Sequence, residues 1–422
     1  MRKFILLIIL FTPLLAICQQ SPAELNENAV TTRQYDPGKS FVLANRAYLL
    51  ALEQKDTSQI ALSLKNMGVA LYFQAAFDSA SICYEKSLEY YTAINDSIGM
   101  SASANNLGLV CKDLSRIDDA EKYLKLSLEI DYLLKDTAGM AYGLNNIGQV
   151  YQIKGMHREA ADMYMKSAEY ELLYGNDFGA AESWINVGVV LTELAEYEKS
   201  NTYLKKSLNI AIKYNDPILE ARALNNIGDN YTHLSRFDLA ETNIRRSIAI
   251  REEYEEYLGL TNSYLHLANM FQVMEMTDSA DFYLFKSIDL CMETDNYRVA
   301  VLALMEKGRL LNTNGSYKES NDYLLNALEL AQNMEYEPIL NDIYSLLSTN
   351  YSELGDYESA WKYEKMLSEH SIEKTEIEVV QNIPQAETEA EQINFFSVQN
   401  VIIGILAAMV AVLLVLLVVR RR

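Results

Sequence analysis

The chain has 422 residues, half of them apolar, with 36 basic against 58 acidic side chains and a formal net charge of −22. Single hydrophobic cores stop growing at about 250–300 residues, so a chain of this length divides or repeats. Its acidity argues against nucleic acid, whose phosphates it repels, and its six prolines and 17 glycines are too few for a turn-rich sheet protein. The four cysteines have neither metal-ligand spacing nor the pattern of a disulfide framework.

The N-terminus reads as a signal peptide over residues 1–18: Arg2 and Lys3, an apolar run over 4–17, then Cys18 before Gln19 and Gln20. Cleavage after Cys18 is the preferred site. An acylated Cys18 is the alternative, and Ile17 stands where a lipobox carries a small residue. Residues 19–55 form a leading segment, in which 40–53 has the pattern of one lone capping helix.

Residues 56–378 are a repeat array. Gly68, Gly108, Gly148, Gly188, Gly228 and Gly308 are spaced by forty residues or a multiple of forty, with Ala268 and Ser348 in the same column. Twelve residues on, a second small column holds Ala80, Ala120, Ala160, Ser200, Ala240, Ala280, Ser320 and Ala360. The units run near 56–95, 96–135, 136–175, 176–215, 216–255, 256–295, 296–335 and 336–378. Each contains two helical stripes, such as Leu144, Ile147, Gly148 and Tyr151, then Ala160, Tyr164, Ser167 and Ala168. Asp56, Asp96, Asp136, Asn176, Asp216, Glu256, Asn296 and Tyr336 form the N-cap column of the first helix (A) of their units, and Gly155, Gly315 and Gly355 mark the turn into the second (B). Small residues at both columns let helices A and B cross closely. Neighbouring pairs must stack to bury what a lone pair leaves exposed.

Beyond the array, 379–394 reads as a spacer and 395–419 as a transmembrane helix, because its uncharged run over 401–419 covers about 28 Å. Arg420, Arg421 and Arg422 form a basic tail over 420–422, which the positive-inside rule places in the cytoplasm. With the signal peptide this gives a single-pass type I orientation and a repeat array on the periplasmic side of a bacterial inner membrane. The expected fold is therefore all-α: a right-handed α-solenoid of about eight helix hairpins plus one C-terminal transmembrane helix.

Repeat four, with Trp184, Val187, Gly188, Leu191, Ser200, Leu204 and Ser207, resembles the tetratricopeptide repeat (TPR) family, as does repeat three with Leu144, Ile147, Gly148, Tyr151, Ala160, Tyr164 and Ser167. The forty-residue period, against the family's usual 34, suggests a helix B longer by about six residues. Resemblance to the family implies a concave face lined by helix A, where one column reads Asn66, Asn106, Asn146, Asn186 and Asn226 and its neighbour adds Asn105, Asn145 and Asn225. By that resemblance these amides offer donors and acceptors to an extended peptide; the alternative is that they bond neighbouring helices. Lys65, Lys112, Arg222 and Arg309 are further candidates, as cations that orient a ligand carboxylate.

No catalytic motif, metal site or cofactor site is expected, and the histidines fall at unrelated phases of the repeat. The expected partners are a protein or extended peptide in the groove and the bilayer through 401–419. The layout resembles the ectodomains of repeat-containing membrane sensors of the Bacteroidota, so the expected function is a membrane-anchored, peptide-binding scaffold or sensory ectodomain. Two alternatives stand beside it. One is a transducer of the histidine-kinase receptor type whose signalling domain is missing or supplied by a partner; the other is a surface protein with a C-terminal sorting helix.

Overall fold

The computed structural model describes residues 20–334 and 336–381. They form 18 α-helices and a single 3-10 turn at Glu337–Ile339. The first pair is α1 (Pro22–Thr32) and α2 (Pro37–Gln54). There follow α3 (Thr57–Phe73), α4 (Phe77–Ala93), α5 (Ser97–Asp113), α6 (Ile117–Leu134), α7 (Thr137–Ile153) and α8 (His157–Tyr174). Next come α9 (Asp177–Glu193), α10 (Tyr197–Tyr214), α11 (Pro217–His233), α12 (Phe237–Glu253), α13 (Tyr257–Val273) and α14 (Thr277–Glu293). The last four are α15 (Tyr297–Thr313), α16 (Tyr317–Asn333), α17 (Leu340–Glu353) and α18 (Tyr357–Gln381). By contacts the chain divides into two units, Met1–Thr294 and Asp295–Arg422. Within each, helices pack in sequential pairs and each pair packs on the next.

From α2 to α14 the turns between helices are built the same way. After α3, Ala75 takes φ +56°, and the N–H groups of Ala75 and Ala76 bond to the carbonyls of Tyr72 and Leu71 at 2.9 and 3.0 Å. This is the Schellman closure of a helix end. Positive φ recurs at Asn95, Ser115, Lys135, Gly155, Gly175, Ala195, Asn215, Ser235, Glu255 and Glu275, so glycine marks only a minority of these turns. Their twenty-residue spacing shows that the forty-residue unit has two equal halves. Helices A and B are both 17 or 18 residues long through most of the array. The extra length of the unit is thus shared between both helices, which corrects the expectation of an extended B helix alone.

Six A helices start as expected, whereas the side chains of Asn296 and Tyr336 make no cap bond. The side chains of Asp56, Asp96, Asp136, Asn176, Asp216 and Glu256 each accept a hydrogen bond from the backbone N–H three residues on. The B helices have no such cap at α4, α6, α8, α10 and α12; acidic first-turn residues such as Asp78, Asp119 and Glu159 favour their N-terminal dipoles instead.

The small columns sit where the helices touch. A Cβ added at Gly68 or Gly148 would lie 2.7 Å from the ring of Tyr84 or Tyr164. At Gly108, Gly188, Gly228 and Gly308 it would meet Leu124, Leu204, Ile244 and Leu324 at 2.5–2.6 Å. Ala80, Ala120, Ala160, Ala240 and Ala280 are fully buried, and Ala360 nearly so. Ser200 and Ser320 keep the same contact and donate to the carbonyls of Gly188 and Gly308 at 2.7 and 2.6 Å. A third small column completes the stack. Ser87, Ser167 and Ser247 are buried on the B helices, donate to the carbonyls of Ala61, Ala141 and Ala221, and meet Ser103, Ser183 and Ser263 of the following A helix.

Two expectations change. The leading segment is a complete hairpin, since α1 stands before α2, giving nine pairs among the described residues. The marker glycine is absent there: Asn28 occupies the register of Gly68, and α1 has only 11 residues. The described residues form an all-helical solenoid, and the transmembrane helix expected of the fold is not shown among them. No helix among the described residues is long and apolar enough to cross a membrane, because each carries polar or charged side chains on the face it turns to water. The segments 1–18, 395–419 and 420–422 lie outside the described residues, as does the spacer except that α18 runs on to Gln381.

Candidate functional site

The A helices alternate a face packed on the B helices with a half-exposed face, and the asparagine columns fall on the latter's border. Their amides do two different things. Asn146 Nδ2 donates to Asn105 Oδ1 and Asn186 Nδ2 to Asn145 Oδ1, both at 3.0 Å, tying each A helix to the next. Asn66 Nδ2 donates to Asn26 Oδ1 at 3.1 Å, and Asn26 in turn donates to Ser63 and Gln59. Asn225 Nδ2 lies 3.5 Å from Nδ1 of His266. Asn66 and Asn225 are buried, 3% and 5% exposed. Asn106 and Asn226 are half-buried and make no side-chain hydrogen bond among the described residues, and the Oδ1 atoms of Asn146 and Asn186 likewise accept none.

Both readings of the ladder are therefore realised, at different residues. Asn66, Asn105 and Asn145 are engaged within the protein, whereas Asn225 reaches His266 through Nδ2 and leaves its buried Oδ1 without a partner. Asn106, Asn146, Asn186 and Asn226 retain free hydrogen-bonding capacity at forty-residue intervals. Asn26, forty residues before Asn66, extends the column into α1; the register alone could have revealed it.

The four candidate cations also divide. Arg222 grips Glu182 through both carboxylate oxygens at 2.5 and 2.6 Å, and Arg309 lies 3.3 Å from Glu306 and 3.8 Å from Asp342. Both are neutralised within the protein. Lys112 donates to Gln149 Oε1 at 2.7 Å. Lys65 forms no ion pair among the described residues, and burial together with the nearby Arg33 guanidinium pulls its pKa down.

A cavity of about 270 Å³ opens between α1, α3 and α5, lined by Arg33, Val69, Tyr72, Phe73, Asn106 and Leu109 among others. Burial and the Tyr72 hydroxyl's 2.7 Å hydrogen bond to Asp113 push the tyrosine pKa up to about 12. At neutral pH that hydroxyl stays protonated and fixes one wall. The cavity pairs apolar walls with an arginine and the free amide of Asn106. That combination suits an apolar side chain carried on a polar backbone.

A second polar group lies on α11 and α13. Asp229 stands between His233 (Oδ2 to Nε2, 3.9 Å) and His266 (Oδ1 to Nδ1, 3.7 Å), and His233 stacks on Tyr197 at 4.8 Å between ring centroids. The sequence suggested no carboxylate partner for these histidines. Helical spacing brings Asp229 to both, four residues from His233 on its own helix and beside His266 on the next. Among the described residues no group of three or more His, Cys, Asp or Glu side chains could hold a metal ion.

Residues 99–170 and 179–253 match the tetratricopeptide repeat family model. These segments match tetratricopeptide repeats, and the repeats beside them keep the same forty-residue register. No curated protein matches the sequence. Among solved structures, RapI in its apo form aligns with a TM-score of 0.61 at 13% identity, covering 84% of this chain and 98% of RapI. The apo quorum sensor NprR from B. thuringiensis aligns at 0.56 and 18% identity, covering 82% of this chain and 97% of NprR. A Rap protein complexed with competence and sporulation factor aligns at 0.54 and 15% identity, covering 84% of this chain and 98% of its own. At these identities the likeness is one of fold.

Proposed function

We propose that the chain is a peptide-binding scaffold that holds an extended segment of a partner along the A-helix face of α3–α11. The supporting observation is spare hydrogen-bonding capacity in one register on successive repeats: the side-chain amides of Asn106 and Asn226, and the Oδ1 atoms of Asn146 and Asn186. An extended peptide presents backbone N–H and C=O groups in regular alternation, and a side-chain amide can bond both. The cavity beside Asn106 receives one apolar side chain of that peptide, which sets register and direction. Rap and NprR proteins share the fold, and the solved Rap complex with competence and sporulation factor supports a ligand-holding role for it.

Selection of peptides from a displayed random library, followed by calorimetry, tests this reading. Asn106→Ala with Asn226→Ala removes two amides that bond nothing in the protein. We expect affinity for selected peptides to fall at least tenfold while the unfolding midpoint stays unchanged. Unaltered affinity in the double variant would overturn the reading. Extracytoplasmic placement is part of the proposal and rests on the residue pattern of 1–18; N-terminal sequencing of the mature protein should begin at Gln19.

A further inference from the structure

The cavity between α1, α3 and α5 is bordered by polar groups that the protein itself leaves unmatched. Arg33, at the end of α1, is half-buried on its wall and forms no hydrogen bond or ion pair among the described residues. That is unusual in a chain whose carboxylates outnumber its lysines and arginines 58 to 36. The repeat architecture does not require a cation there, since the same register on the next four A helices carries Phe73, Asp113, Ile153 and Glu193. Tyr84 lines the cavity from α4 and is 2% exposed, yet its hydroxyl bonds to nothing among the described residues. Eighty residues on, the equivalent Tyr164 hydroxyl pairs with Gln152 Oε1 at 3.2 Å. Tyr72 holds the register of Gln152 here and donates to Asp113 instead, so Tyr84 lacks that partner. The unbonded amide of Asn106 is a third donor on the same cavity.

These groups share one property, which is that each can donate. A half-buried guanidinium without a counterion gains from a carboxylate, which it can hold through two parallel N–H···O bonds. Burial pushes the Tyr84 pKa up, against a smaller lowering by Arg33, so the hydroxyl keeps its proton at neutral pH. Arg33 lies near Lys65 as well, and the two cations make the local potential positive. Asp113 accepts from Tyr72 at 2.7 Å and leaves Arg33 unpaired. Val69, Phe73 and Leu109 supply apolar wall. At about 270 Å³ the cavity falls below the roughly 300–1,000 Å³ of pockets for drug-sized ligands, so its occupant is short.

We infer that this cavity binds a carboxylate carried on a short apolar group. Arg33 holds the carboxylate, Tyr84 and Asn106 donate to it, and Val69, Phe73 and Leu109 cover the apolar part. Two sources share that chemistry: the C-terminal residue of a bound peptide, and a free short-chain acid. The first deepens the peptide reading and rests on it; the second does not.

Ligand-observed NMR titration of the full chain tests it, with isocaproate as the probe and isocaproamide, its uncharged isostere, as the control. The acid should bind at least tenfold more tightly than the amide. Arg33→Gln should erase that preference, and Tyr84→Phe should weaken the acid more than the amide, both with unchanged helical content. Equal affinity for acid and amide, or a preference that survives in Arg33→Gln, would overturn the inference. The tripeptide N-acetyl-Ala-Ala-Leu with a free C-terminus separates the two sources. Tighter binding than isocaproate, lost when that terminus is amidated, assigns the site to the end of a peptide. Binding no tighter than isocaproate assigns it to a free acid, which counts against the peptide reading and leaves the carboxylate site standing.

Discussion

The repeats of α5–α12 and the helices α15–α18 are built on one plan, yet only the first set carries the asparagine column. The packing plan is common to both. Gly308 meets Leu324, and Ser320 donates to the Gly308 carbonyl, as Gly188 meets Leu204 and Ser200 donates to Gly188. On the exposed face the two regions part. Where α5, α7, α9 and α11 present Asn106, Asn146, Asn186 and Asn226, α15 and α17 present Glu306 and Leu346. Burial pushes the Glu306 carboxyl up despite the nearby Arg309, which itself lies against Glu306 and Asp342. Columns that hold helices together persist in both regions because their close crossings need small residues; columns that face outward are free to specialise.

The largest expected effect treats the two regions alike. Gly148→Leu and Gly308→Leu should each destabilise by about 3 kcal/mol, because the new side chain meets Tyr164 or Leu324 with no room to relax. Urea unfolding of both variants measures this. Tolerance in one region alone would show that the shared packing plan does not hold there.

A smaller difference separates occupied from free amides. Asn66→Ala should cost about 1–2 kcal/mol, since it strips the buried Asn26 oxygen of its donor. Asn106→Ala should change stability by less than about 0.5 kcal/mol, as expected of a side chain without partners. Equal costs would contradict the division of the column into bridging and ligand-facing members.

The smallest effect is one of pH. Asp131 is buried beside Ser101 and Ser127 with no cation against it, and burial, despite those hydroxyl hydrogen bonds, raises its pKa above the usual 3.8. Since the folded pKa exceeds the unfolded one, its contribution to stability is present at acid pH and lost as pH rises through the folded value. Asp131→Asn should therefore gain stability relative to the wild type at pH 7.5 and show little or no such gain at pH 3.5. Thermal unfolding at both pH values checks the sign.

Much of this was legible in the sequence. Gly68 through Gly308 and Ala80 through Ala360 report helix contacts directly, because no larger residue fits there, and the acidic or amide N-caps report where each A helix starts. The turns were harder to read. Ala75, Ser115 and Ala195 adopt positive φ without being glycine, held there by the Schellman hydrogen bonds around them. Hairpin α1–α2 escaped because Asn28 stands where the marker glycine belongs. At the candidate site, residue type located the asparagine column but could not assign its bonds. The partner of each amide lies forty or forty-one residues away, and only the stacking of A helices decides which oxygen is reached. Arg33 was missed for the same reason: it enters the cavity from the end of a helix whose existence the pattern concealed.

Hydrogen–deuterium exchange of the protein, alone and with a library-selected peptide, tests the central claim most directly. Binding along the asparagine face predicts slower exchange in the A helices α5, α7, α9 and α11, at forty-residue intervals, with little change in α6, α8 and α10. Protection confined to the B helices, or to a single repeat, would contradict it.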